Sequence, residues 1–246
     1  MLKYQFIFTG VFILISTSVT FAQQKIEVGI SAGYTRNSLT TDNVYRSFTR
    51  HYPLNGFQVA VPMRYNFSDW LGLQLEVAYM QKNYAIRRSF FFKGVESEIK
   101  NSSLQLPLMA HFSFGGEDLR VFLNLGAYSE YWVNSRIRGA HGSGFRNPND
   151  DEVAIEKTNV LFSDLIKLEN FDQKVDFDTR RDRRMQFGLI AGVGMEYRLS
   201  PKFKVFTEAR YQHNLTDLQK NYMINQIPRY NNTFGVQLGV FYAIGR

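Results

Sequence analysis

In the stretch Met185-Gln186-Phe187-Gly188-Leu189-Ile190-Ala191-Gly192-Val193-Gly194-Met195-Glu196-Tyr197, every odd position is apolar, while the even ones carry glutamine, glycine, isoleucine or glutamate. A period of two puts each set on its own face of a strand. The same alternation runs through Leu71, Leu73, Leu75, Val77 and Tyr79 against Gly72, Gln74, Glu76, Ala78 and Met80. It recurs eight times, near residues 24–35, 55–67, 71–84, 102–114, 119–133, 184–199, 203–213 and 232–244. The connections alternate long and short. The short ones, Ser68-Asp69-Trp70, Gly115-Gly116-Glu117-Asp118 and Ser200-Pro201-Lys202, have turn composition. The long ones cover roughly 36–54, 85–101, 134–183 and 214–231. This parity is that of an even-stranded transmembrane barrel with both termini and the short turns in the periplasm. The fold class expected is all-β: an eight-stranded antiparallel up-and-down transmembrane β-barrel with one long outer loop, 134–183.

The N-terminus fits an exported chain. Lys3 precedes a mostly apolar run from Phe6 to Val19 that ends in Thr20-Phe21-Ala22, the layout of a cleaved signal peptide. That run is shorter than the ~20 residues of a spanning helix. Residues 1–22 are therefore read as the signal and 23–246 as the barrel domain. No later segment is continuously apolar over a spanning length, so a membrane crossing must be made by strands closed into a barrel. A hydrophobic content of 44% and an aromatic content of 15% suit such a body. The absence of cysteine excludes a disulfide framework and thiolate metal sites. The formal charge of +7 points to loops meeting anionic lipid or glycan, such as lipopolysaccharide, and not to nucleic acid.

Residue types decide which face is outside. One face carries Phe57, Val59, Val61, Met63, Leu104, Leu106, Leu108, Val236 and Leu238, with aromatic residues such as Tyr34, Tyr79, Tyr131, Tyr197, Tyr211 and Tyr242 near the strand ends. This is a lipid-facing band between two aromatic girdles. The other face holds Lys82, Arg198 and Lys204 together with the residues expected to form an ion-pair core: Glu27, Arg64, Glu76, Arg120, Glu130, Glu196, Glu208 and Arg210. Five acidic residues there face at least as many basic ones. Eight strands enclose a space that side chains just fill, so these charges are expected to pair in a closed lumen. Unpaired buried charge costs too much.

Several stretches also resemble a known family. Leu73-Gln74-Leu75-Glu76-Val77-Ala78-Tyr79, Leu104-Gln105-Leu106-Pro107-Leu108, Gly192-Val193-Gly194-Met195-Glu196-Tyr197 and Ala209-Arg210-Tyr211 resemble the PorT-like outer-membrane β-barrel family of Bacteroidetes. The resemblance spans the mature chain and implies an outer-membrane location. Through the component that gives the family its name, it also implies an accessory role in type IX protein secretion. The 134–183 segment is longer than a typical loop of that family.

The chemistry-bearing residues are sparse. His111 and Ser113 share the polar face, as a base and nucleophile of a rim esterase or acyltransferase would; the alternative is a hydrogen-bonded lumen histidine. His51, His141 and His213 show no metal-ligand spacing, and Gly192-Val193-Gly194 lacks the third glycine and the helix of a nucleotide loop. No cofactor or metal is expected. The run Arg87-Arg88-Ser89-Phe90-Phe91-Phe92-Lys93 is a candidate surface for glycan or a lipid headgroup, through Arg87, Arg88, Phe90, Phe91, Phe92 and Lys93. Within the longest loop, Val160–Leu168 is apolar enough to fold over the barrel mouth as a short helix or hairpin, and Arg180–Arg184 is a candidate electrostatic anchor. The expected function is a non-enzymatic outer-membrane barrel with a filled lumen. Its surface loops would bind glycan, lipid or a protein, including a secretion-machinery protein.

Overall fold

The computed structural model describes residues 25–41, 49–88, 94–145, 166–223 and 226–244. The expected signal segment, Phe90 to Lys93 and the middle of the longest loop lie outside the described residues. Ten strands follow in order: β1 (Lys25–Thr40), β2 (Thr49–Asn66), β3 (Leu71–Gln81), β4 (Tyr84–Arg88), β5 (Glu96–Gly115), β6 (Leu119–Phe145), β7 (Ile166–Lys174), β8 (Met185–Arg198), β9 (Phe203–Asn214) and β10 (Tyr230–Ile244). They make eight staves. β2 and β5 both pair with β3 lower down and with β4 higher up. β6 pairs first with β8 and then, further along, with β7. The β1–β10 pairing, from Ile26↔Ile244 to Thr40↔Tyr230, closes the ring. All pairings are antiparallel, and closure leaves the spanning part no free edge.

Exposure follows the alternation. Leu75 and Leu106 are 39% and 50% exposed, whereas Gln74 and Gln105, their neighbours in sequence, are at most 1% exposed. The apolar set faces lipid and the polar set faces inward. Two glycines show why small residues sit on the inner face of β8. A side chain at Gly192 would run into the Glu208 carboxylate, and one at Gly194 would meet the Phe122 ring.

Several strands run longer than expected from the sequence. About 9–11 residues cross a bilayer as a tilted strand, but β5 has 20 and β6 has 27. The excess lies at the long-loop end, where the upper part of β2 joins β4, the start of β5, the end of β6 and β7 in a five-stranded extension. Parts of the expected loops 36–54, 85–101 and 134–183 are thus strand. The strand expected at 71–84 ends at Gln81, and Lys82 and Asn83 interrupt it before β4. The described part of Val160–Leu168 belongs to β7, which extends β6 as a hairpin. Among the described residues an apolar cap forms at this end around Leu218, from the β9–β10 connection. Leu218 packs with Leu39, Tyr84 and Ile99, with Ile86 and Ile137 against them. Backbone hydrogen bonds hold it on both sides, from its own N–H to the Arg229 carbonyl and from the Arg183 N–H to its carbonyl.

Candidate functional site: a filled lumen and a charged outer sheet

The inward side chains of the staves pack in layers. Nearest the short turns, Arg64 donates to Glu196 at 2.7 Å and to Glu27 at 3.4 Å, while Lys204 lies 2.7 Å from Glu27 and 3.4 Å from Glu196. The Arg64 guanidinium stacks 4.3 Å from the Phe241 ring centre, and Phe241 packs with Phe122 and Phe206. In the middle layer Arg210 grips Glu76 through two nitrogens, at 2.6 and 2.5 Å, and reaches Glu208 at 2.7 Å. Amides complete the carboxylates: Gln74 donates to Glu76, and Asn124 and Gln237 donate to Glu208. In the third layer Lys82 binds Glu130 at 2.5 Å, and Gln105 donates to the same carboxylate at 2.9 Å. Buried carboxylates surrounded by donors in this way form a cross-linked core; hydrogen bonds to charged groups contribute ~1.5–3 kcal/mol each.

Of the residues expected in this core, Glu27, Arg64, Glu76, Glu130, Glu196, Glu208 and Arg210 enter these layers. Arg120 does not. It stands opposite Glu196 in the β6–β8 register, but its guanidinium turns to the Ser113 hydroxyl at 2.7 Å and to the Asp69 carbonyl at 2.5 Å. At the rim a carbonyl and a hydroxyl satisfy it without burial. Arg120 and Arg198 instead line a cavity of about 560 Å³ at the short-turn end, with Glu27, Glu196 and Lys204 at its wall. The layered network therefore holds five glutamates against four cations, Arg64, Arg210, Lys82 and Lys204; the two lysines were expected on this face but not among the named members of the core.

His111 is buried, and its Nδ1 lies 2.7 Å from Asn124 Oδ1. The Ser113 hydroxyl accepts from Arg120. The two side chains thus have separate partners and no shared hydrogen bond is shown between them. Among the described residues no cluster of metal-ligating side chains occurs.

The five-stranded extension has two unlike faces. Its inner face supplies Tyr84, Ile86, Ile99 and Ile137 to the apolar cap over the mouth. Its outer face is set by register. Arg50 pairs across to Arg87 and Arg87 to Glu96; Glu98 pairs to Arg138 and Arg138 to Asp172; Lys100 pairs to Arg136 and Arg136 to Lys174. Arg87 bonds Glu96 at 3.0 Å and lies 5.1 Å from the Tyr52 ring centre. Asp172 accepts from Arg136 at 2.6 Å and from Arg138 at 2.9 Å. These hydrogen bonds, from Arg136 first and then Arg138, hold the Asp172 carboxyl below its ordinary range. Of the six-residue surface candidate, Arg87 is on this outer face, the Arg88 backbone N–H donates to the Val95 carbonyl, and the other four lie outside the described residues. Sequence reading missed Arg50, Lys100, Arg136, Arg138, Asp172 and Lys174. The even positions of β5, running unbroken from Leu108 to Glu96, were the signal that places them.

A closed ring of eight antiparallel staves, apolar outside and ionic inside, defines a transmembrane β-barrel. Residues 21–220 match the outer membrane protein beta-barrel domain family, and the chain belongs to it. Among solved structures it is similar to the outer membrane protease OmpT from Escherichia coli, at 10% identity over 92% of this chain and 99% of that one, with a TM-score of 0.53. At 10% identity this likeness shows the fold alone. Lower TM-scores are found with OprG from Pseudomonas aeruginosa (13% identity, 91% and 98% covered, 0.48). They are also found with Ail of Yersinia pestis, solved in complex with the heparin analogue sucrose octasulfate (16% identity, 89% and 99% covered, 0.42). No curated protein sequence matches the chain.

Proposed function

We propose that this outer-membrane protein is a non-enzymatic barrel with a filled lumen, and that it works through the sheet its long connections raise beyond the bilayer. In this reading the short turns and both termini are periplasmic, the long connections are outside, and the extension binds anionic glycan, lipid or protein at the cell surface. The observation that carries it is the unlike pair of faces on the extension. One face is spent on the cap over the mouth, while the other exposes charge, with Arg136 and Arg138 both 59% exposed. The separate hydrogen bonds of His111 and Ser113 give a rim esterase or acyltransferase no assembled base and nucleophile.

The test replaces residues 136–174 with a tight turn and asks two questions of the full-length protein. The shortened protein should still fold, read as the usual shift of gel mobility on heating. Cells displaying it should lose retention on an immobilised sulfated glycan that the unmodified protein confers. Equal retention of both would contradict the reading. The resemblance to PorT-like barrels adds a secretion role, and stable co-purification of secretion-machinery components from detergent-solubilised membrane would move the proposal there.

A further inference from the structure

The outward face of the extension continues the lipid-facing side of the barrel. In β5 the even positions run Leu108, Leu106, Leu104, Ser102, Lys100, Glu98 and Glu96 without a break in alternation, so the side chains that meet lipid and those that meet the charged sheet point the same way. Leu104 stands between Tyr79 and Tyr131 in register, and the two tyrosines mark the interfacial girdle. Lys100 lies four residues further on, about 13 Å at ~3.3 Å per residue. That is the depth of headgroups, not of acyl chains.

From this level outward the face carries Lys100, Arg136 and Lys174 side by side, then Arg138, and then Arg50 and Arg87 in register with Glu96, across five neighbouring strands, a width of about 19 Å at ~4.8 Å per strand. Against these six cations stand three carboxylates, Glu96, Glu98 and Asp172. Among the described residues Arg50, Lys100 and Lys174 form no ion pair, while one carboxylate, Asp172, is shared by two arginines. The excess positive charge faces sideways, over the membrane surface beside the barrel.

We propose that this outward face binds the phosphate groups of lipopolysaccharide in the protein's own outer leaflet. The inference rests on the reading that the long connections lie outside. Arginine suits phosphate through its fork of donors and lysine as a point charge. The multiple cations make binding dependent on ionic strength, and each basic residue near an anionic surface adds to the attraction. The parity of β5 favours this occupant, because it turns the face sideways along the leaflet beside the barrel, where the phosphates of neighbouring lipopolysaccharide stand.

The experiment uses the full mature chain in detergent, with purified lipopolysaccharide, the same material after phosphate removal, and soluble heparin as probes. Arg50→Glu with Lys100→Glu alters two cations that hold no internal ion pair, so the fold is expected to persist, checked by circular dichroism and heat-dependent gel mobility. The double variant should bind intact lipopolysaccharide at least tenfold more weakly, and the unmodified protein should lose a similar factor on dephosphorylated material. Lys202→Glu, in a short turn, should change nothing. Unchanged affinity in the double variant, or equal binding with and without phosphate, overturns the proposal. Because the chain has no cysteine, Lys202→Cys, in a short turn, gives a single thiol that tests sidedness separately with an impermeant maleimide: labelling on intact cells sinks the orientation itself, whereas labelling only after permeabilisation, without a phosphate effect on binding, sinks only this inference. Heparin binding that survives in the double variant while lipopolysaccharide binding is lost would show that the two anions use different surfaces, in keeping with the proposal.

Discussion

Arg210 and Glu76 meet through two parallel N–H···O contacts deep in the barrel, with side chains 3% and 0% exposed and their positions 134 apart in sequence. The pair ties β9 to β3 across the lumen, so the interior connects staves that share no hydrogen-bonded edge. Removing one partner is therefore unlike removing both. Glu76→Ala leaves Arg210 with Glu208 alone and should lower unfolding stability by ~3–5 kcal/mol. The double change Glu76→Leu with Arg210→Met should cost much less than Glu76→Ala alone. Denaturant unfolding in lipid measures both, and a double variant at least as unstable as the single one would contradict the buried-pair account.

The facing of β5 gives a second prediction. Leu106→Arg puts a charge into lipid and should cost ~2–4 kcal/mol near the midplane, while Leu106→Ala should be mild because the lipid fills the space. Gln105→Leu, one residue away, instead deprives Glu130 of a donor and should cost ~1–3 kcal/mol. The same unfolding assay applies. Free tolerance of Leu106→Arg would reverse the assignment of faces.

The spanning part of this fold is legible in the sequence because lipid on one side and a narrow ionic space on the other force alternation at every residue. Leu71–Gln81 and Met185–Arg198 obey it almost without exception. Beyond the bilayer that constraint ends. β4 and β7 are only five and nine residues long, and the apolar face of β4 amounts to Tyr84 and Ile86, too few positions to establish an alternation, so their strands are hidden in what reads as loop. Leu218 sits between Asp217 and Gln219, with no periodic neighbour to mark it as the cap of the mouth. Parity correctly turned Arg120 inward, but it does not report depth, and at the rim a carbonyl replaces the carboxylate it would need further in. Partner choice in the core was similarly out of reach. That Lys82 meets Glu130 depends on how the staves are staggered around the ring.

The cap itself can be tested. Leu218→Ser should loosen the β9–β10 connection, since the apolar cluster of Leu39, Tyr84 and Ile99 loses its central contact. Limited proteolysis should then cut within 215–229 faster than in the unmodified protein. The barrel's own unfolding midpoint should stay nearly unchanged, because this cluster is separate from the apolar clusters inside the barrel. A large drop in that midpoint would mean that the cap belongs to the barrel's cooperative core.

Asp172 supplies a pH prediction. Its carboxyl is held below the ordinary 3.8 by Arg136 and Arg138, so the clamp between β6 and β7 is fully formed above that value and is lost as the pH falls through the lowered one. A carbon NMR titration of the Asp172 carboxyl should show a midpoint below 3.8, moving upward in Arg136→Gln. Asp172→Asn should release both arginines and strengthen retention on an anionic column. A midpoint at or above the ordinary value would remove the clamp.

The interior is a cross-linked core, and under the proposed function activity belongs to the outside. The most direct test is electrical. Purified protein inserted into planar bilayers should give no large, steady currents, because Arg64, Arg210 and Lys82 with their glutamates occupy successive layers of an eight-stranded lumen that side chains just fill. Steady porin-scale conductance from the unmodified protein would contradict the account and make the lumen, not the outer sheet, the working part of the molecule.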